Sequence, residues 1–142
     1  MAMNTGMRRG ELLGLEWCRL DLRQRLVYLE AEHTKAGRRR SVPMNEAAYT
    51  AIMGRLRFRA ARAPATPWVF CRRDGKRIGD VKHRFASASA RAGITDFRFH
   101  DLRHTCAAWL VQRGAALAEV RDLLGHGSIK MTERYATLLL IE

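Results

Sequence analysis

The longest uninterrupted apolar stretch in this 142-residue chain is Cys106–Val111. A membrane-crossing helix needs roughly 20 such residues, so a core has to be assembled from short segments that are apolar on one side. A chain of this length buries roughly two thirds of its unfolded surface, enough for one core without disulfides or structural metal. Glycine and proline mark where the segments stop. Pro64 and Pro67 end one, Gly93 another, and Gly114 and Gly125-His126-Gly127 divide the last third.

Between these breaks the periodicity changes along the chain. Leu12, Leu13 and Leu15 predict a short helix from about Met7 to Trp17, with Asn4 or Thr5 as its cap. From Leu20 to Met44 the pattern alternates, predicting a small antiparallel sheet with a hairpin tip at Thr34-Lys35-Ala36-Gly37. Ala48, Ile52 and Leu56 behind Asn45 predict an amphipathic helix from Asn45 to Ala63. Trp68-Val69-Phe70 reads as extended, Asp74-Gly75 as a turn, and Asp80–Ala92 as helix. Three further helices are expected at His100–Gln112, Leu117–Leu124 and Ser128–Leu138. The class is α+β: mostly helical, with a small antiparallel sheet in the N-terminal third.

Charge narrows the partner. The chain holds 26 Lys plus Arg against 14 Asp plus Glu, a formal charge of +12, and only Lys35, Lys76, Lys82 and Lys130 of the basic residues are not arginine. Arginine's planar fork suits phosphate, so the leading partner is a nucleic acid, without a membrane. Cys18, Cys71 and Cys106 are odd in number and form no CxxC pair, which fits a reduced, cytoplasmic setting. Met1–Gly6 has no charged region followed by an apolar one, and so does not read as a secretory signal.

Several polar groups stand at the ends of elements. Arg8, Arg9 and Glu11 open the first helix, His100, Arg103 and His104 the fifth; His126 follows the sixth, and Tyr135 lies on the seventh. His100 and Arg103 share a face of the first turn, where free N–H groups favour an anion.

Thr5-Gly6-Met7-Arg8-Arg9-Gly10-Glu11-Leu12, Thr34-Lys35-Ala36-Gly37, His100-Asp101-Leu102-Arg103-His104-Thr105, Leu123-Leu124-Gly125-His126 and Thr132-Glu133-Arg134-Tyr135 together resemble the tyrosine recombinases of the phage integrase family, in the family's order. The step of nine residues from His126 to Tyr135 is the family's usual one. The resemblance implies the recombinase catalytic fold and site-specific DNA recombination or integration, with strands cut and rejoined through a 3′-phosphotyrosyl intermediate. Tyr135 matches the nucleophile and His100 the residue that takes its proton. Arg8 and Arg103 match the pair that clamps the non-bridging oxygens, His126 a further donor, and Lys35 the acid that protonates the leaving 5′-oxygen. Glu11 matches a position that orients the neighbouring arginine. Neither a cofactor nor a metal is implied; the partner is double-stranded DNA, with a homo-oligomer, a tetramer on DNA, for the full-length protein. Either Arg8 or Arg9 could point inward, the family pattern favouring Arg8. Arg9, Arg38, Arg39 and Arg40 are expected to contact the DNA backbone.

The resemblance covers nearly all of residues 1–142 as one catalytic domain. Its start lies almost on the first block, so a truncated N-terminus without the family's core-binding domain is expected. The tail Ala136–Glu142 is expected to dock in cis or onto a second copy. Two rivals come from other classes. One is a non-catalytic helix-turn-helix module over Ala118–Tyr135. The other is a zinc hydrolase using His100 and His104, with His126 as third ligand. A type IB topoisomerase would use similar chemistry.

Overall fold

The computed structural model describes residues 1–137. Short helices α1 (Ala2–Thr5) and α2 (Arg9–Leu13) precede a three-stranded antiparallel sheet of β1 (Leu20–Asp21), β2 (Leu26–Leu29) and β3 (Arg40–Pro43), in the order β1-β2-β3. Val27 faces Leu20 and Val42, and Leu29 faces Arg40. Then follow α3 (Glu46–Arg62), α4 (Lys82–Arg91), α5 (Asp101–Gln112), α6 (Leu117–Leu124) and α7 (Lys130–Glu133). The α+β class expected from the alternating and helical patterns is therefore the one observed.

Local chemistry accounts for the boundaries. Asn45 Oδ1 accepts the Ala48 N–H at 2.9 Å and starts α3, as its position predicts. Gly125 adopts a left-handed φ of 67° and closes α6. The opening helix departs from expectation. Gly6, at φ 65°, turns the chain between α1 and α2, and Arg8, not Asn4 or Thr5, is the residue before α2. The Glu11 carboxylate accepts the Arg8 N–H at 2.8 Å and so supplies the missing cap.

The last element also differs. A helix over Ser128–Leu138 is expected, but the helical turn is Lys130–Glu133, four residues long. That is too short for the recognition helix a helix-turn-helix module lays in a groove. The tail expected to dock lies, from residue 138 on, outside the described residues.

Two buried clusters frame the site. Met7, Leu12, Leu15, Val27, Leu29, Val42 and Ile52 pack the sheet against the N-terminal helices and α3. Ala107, Val111, Val120, Leu124 and Tyr135 join α5, α6 and the segment after α7. α1 packs on α5, and α6 lies against β3, which brings the two clusters edge to edge. Among the described residues no helix is long and apolar enough to cross a membrane, and the three cysteines are free.

Candidate active site

Arg103 is the group around which the separated blocks meet. Only 3% exposed, it donates from Nη1 to the Gly6 carbonyl at 2.7 Å and from Nη2 to the Leu124 carbonyl at 2.6 Å. One guanidinium on α5 thus fastens the residue two before Arg8 to the residue two before His126. Burial, then the neighbouring Arg8, lowers its pKa to about 10 against the opposing pull of Glu11; it stays cationic at neutral pH.

Arg8 is set by Glu11, one helical turn on. Its Nη1 donates to Glu11 Oε1 at 3.2 Å while its backbone N–H holds Oε2. The same carboxylate receives Arg40 in a two-pronged pair, Nη1 to Oε1 at 3.0 Å and Nη2 to Oε2 at 2.7 Å. Arg40 Nε donates to the Leu123 carbonyl at 2.9 Å. Burial by itself would raise the Glu11 carboxyl, but the Arg40 hydrogen bond and charge, together with Arg8, more than offset it and hold the group below the usual carboxylate range.

The expectation of a DNA-backbone contact at Arg40 is corrected by this geometry. Its side chain is 7% exposed and fully engaged with Glu11 and Leu123. The signal was in the alternation of β3: Arg40 and Val42 share a strand face, and Val42 is wholly buried. Arg38 and Arg39 precede the strand and stay exposed, Arg39 paired with Glu30 at 2.6 Å. Arg9 pairs instead with Asp80 at 3.3 Å on the surface.

Arg8, Lys35, His100, Arg103 and His126 line one cavity of about 290 Å³. Lys35 reaches it from an exposed loop whose base is pinned by Thr34: its Oγ1 accepts the Arg38 N–H at 3.0 Å. His126 Nδ1 lies 2.8 Å from the buried Thr132 hydroxyl. Burial, then Arg103 and Arg8, lowers the His126 pKa to about 4. His100 is lowered as well, by burial and then by His104, Arg103 and Arg8, with Asp101 opposing. Both rings are neutral at pH 7.

Tyr135 is not among the residues lining this cavity. It is 6% exposed, packed with the second cluster, and its hydroxyl is hydrogen-bonded to Nδ1 of His104. Burial raises the phenol's pKa, with Arg134 and Arg103 pulling the other way. His104 in turn stands edge-on to His100, ring centroids 4.9 Å apart. His104 lies three residues before Ala107 and seven before Val111, which places all three on the face of α5 that meets Tyr135.

The zinc reading needs a third ligand beside His100 and His104. Among the described residues no three His, Cys, Asp or Glu side chains are grouped to hold a metal ion.

The chain is similar to known proteins over nearly its whole length. The model of the phage integrase family matches residues 1–139. The integrase of Salmonella phage P22 is 32% identical over 150 residues, covering 96% of this chain and 37% of that protein. The tyrosine recombinase XerC of Pseudomonas syringae pv. tomato is 35% identical over 137 residues, covering 95% of this chain and 45% of that one. The chain thus spans less than half the length of these two relatives. Among solved structures, XerA recombinase matches with a TM-score of 0.82 at 25% identity, covering 98% of this chain and 53% of that chain. The Tn1549 transposon integrase, in complex with a circular intermediate DNA, shares the fold at a TM-score of 0.79 and 23% identity, covering 94% of this chain and 51% of that chain. Matched by that family's model over residues 1–139 and 32% and 35% identical to these two relatives, the chain belongs to the phage integrase family, the tyrosine recombinases.

Proposed function

We propose that this domain cuts and rejoins double-stranded DNA through a phosphotyrosyl link on Tyr135, as the catalytic part of a site-specific recombinase that acts as a tetramer on DNA. The observation carrying this reading is the convergence of Arg8, Lys35, His100, Arg103 and His126 on one cavity.

The chemistry follows from the charges. The Tyr135 oxygen attacks phosphorus, the P–O5′ bond breaks, and a 3′-phosphotyrosyl ester and a 5′-hydroxyl result. A neutral His100 is fit to accept the phenolic proton. Arg8 and the cavity side of the Arg103 fork meet the non-bridging oxygens, where negative charge grows. When Thr132 donates to Nδ1 of His126, the imidazole's own proton sits on Nε2, free to donate to the phosphate. Lys35 protonates the departing 5′-oxygen. Rejoining is the reverse, with the ester bond energy retained.

Tyr135 must leave His104 to reach the phosphate, so the free domain is at rest. Glu11 and Arg40 are positioning residues: they hold Arg8 without touching DNA. Phosphate contacts outside the cavity fall to Arg9, Arg38 and Arg39.

The test is incubation with nicked suicide DNA, which traps the covalent product, followed by denaturing electrophoresis. A protein–DNA band that vanishes in Tyr135→Phe is the expected result; a band that persists in that variant overturns the assignment.

A further inference from the structure

Next to the phosphate cavity lies a larger one, of about 630 Å³, that shares Arg8, Lys35 and His100 with it. Its character is different. Phe85 of α4 meets Phe99 edge-on at 5.3 Å and Phe97 at 6.0 Å, all three rings half-buried. These rings line the cavity, and Arg9, Lys82 and Arg98 add to the cations around it. Lys35, Lys82 and Arg98 form no ion pair among the described residues. Asp80 pairs with Arg9 and caps the start of α4. α4 itself has no buried residue.

The two properties together select an occupant. An apolar protein segment could cover the rings only by taking the surrounding cations out of water without partners, which is costly. A nucleotide satisfies both: its base stacks on an aromatic face while its sugar-phosphate meets arginine and lysine. Within a duplex a base shows only its edges in the grooves, so contact with the ring faces requires a base that has left the stack. Because the cavity shares three residues with the phosphate site, that base belongs to a nucleotide adjoining the phosphate under attack.

We propose that the Phe85–Phe97–Phe99 cavity receives one unstacked nucleotide of the DNA beside the cleaved phosphate. This rests on the reading of DNA as the substrate.

The test is fluorescence anisotropy with three dye-labelled duplexes of equal paired length: fully paired, with one bulged nucleotide, and with one bulged abasic nucleotide. Wild-type protein is expected to bind the bulged duplex about tenfold tighter than the paired one, the magnitude of one base stacked on an aromatic ring. The abasic bulge bends and flexes the same backbone but offers no base, and should bind like the paired duplex. Phe85→Leu and Phe97→Leu keep an apolar floor without an aromatic face and should remove the preference while leaving affinity for paired DNA unchanged. Equal affinity for bulged and paired DNA overturns the inference, as does an abasic bulge bound as tightly as the bulged nucleotide; neither touches the recombinase reading. Failure to bind any of the duplexes overturns that reading, and the inference with it.

Discussion

The Tyr135 hydroxyl is hydrogen-bonded to His104 Nδ1, one helical turn beyond the cavity-lining His100. The two imidazoles should therefore separate in function. His104→Phe leaves the phenol without its resting partner and is expected to cost about 1 kcal/mol of stability, with the rate of covalent adduct formation kept within about tenfold. His100→Ala is expected to lower that rate by roughly 10²–10⁴ with little change in stability. Time courses on suicide DNA and urea unfolding of both variants check this. A larger rate loss in His104→Phe than in His100→Ala would make His104 the base.

Glu11 holds two guanidiniums, those of Arg8 and Arg40, with a carboxylate that is almost wholly buried. Removing its charge leaves Arg40 buried without a counter-ion, so Glu11→Gln is expected to destabilise the domain by about 3 kcal/mol. Arg40→Ala should cost a similar amount, and the two losses should not add, because the same pair is broken once. A double-mutant cycle by urea denaturation measures the coupling.

Arg38 and Arg39, unlike Arg40, stand on the surface beside the Lys35 loop. If they meet DNA phosphates, each Ala substitution should lower the slope of log affinity against log salt by about one, with unfolding unchanged. Arg40→Ala should do the reverse, altering stability rather than salt slope. Anisotropy titrations over a range of salt decide it.

What the sequence made legible follows a physical division. Features set by short-range chemistry could be read directly: the Asn45 cap, the break at Gly125, and the alternation that marks the small antiparallel sheet. The approach of Arg8, Lys35, His100, Arg103 and His126 was legible only through resemblance, since contacts such as Arg103 to Gly6 span most of the chain and leave no local pattern. Arg40 was misassigned because a run of three arginines looks uniform in the linear text, whereas the strand begins at its third member and turns that side chain inward. The length of the last helix was overestimated because Gly127 and Ser128 loosen its start and Tyr135 is fixed by packing against α5 and α6 rather than by helical periodicity.

Gly6 carries the carbonyl that Arg103 grips, in a left-handed conformation that side chains rarely adopt. A Cβ there would press on the Leu124 side chain, which is fully buried, and meet Cys106 Sγ at 3.4 Å. Gly6→Ala is expected to cost at least about 1–2 kcal/mol from the backbone conformation alone, and to displace Arg103 from its anchor. Adduct formation should fall more than in Gly37→Ala, whose equally left-handed glycine has open space around it. Comparing the two variants by thermal unfolding and by suicide-DNA cleavage separates the backbone cost from the effect on the site.

The cationic surroundings of His126 also give the fold a pH dependence. Its pKa is lowered to about 4 from an ordinary 6.5 by burial and then by Arg103 and Arg8, and His100 and His104 move in the same direction. Below pH 6.5 the unfolded chain takes up a proton at this position and the folded chain does not. The unfolded state then binds more protons, so stability rises with pH and is lost as pH falls through the window from 6.5 to about 4. Below that window the folded ring is protonated as well, and this contribution levels off. Replacing the imidazole by an uncharged amide that can still meet Thr132, His126→Gln, should flatten the dependence between pH 6.5 and 4. Urea midpoints at half-unit pH steps for both proteins measure it; an unchanged slope in the variant would assign the acid sensitivity to His100 and His104 instead.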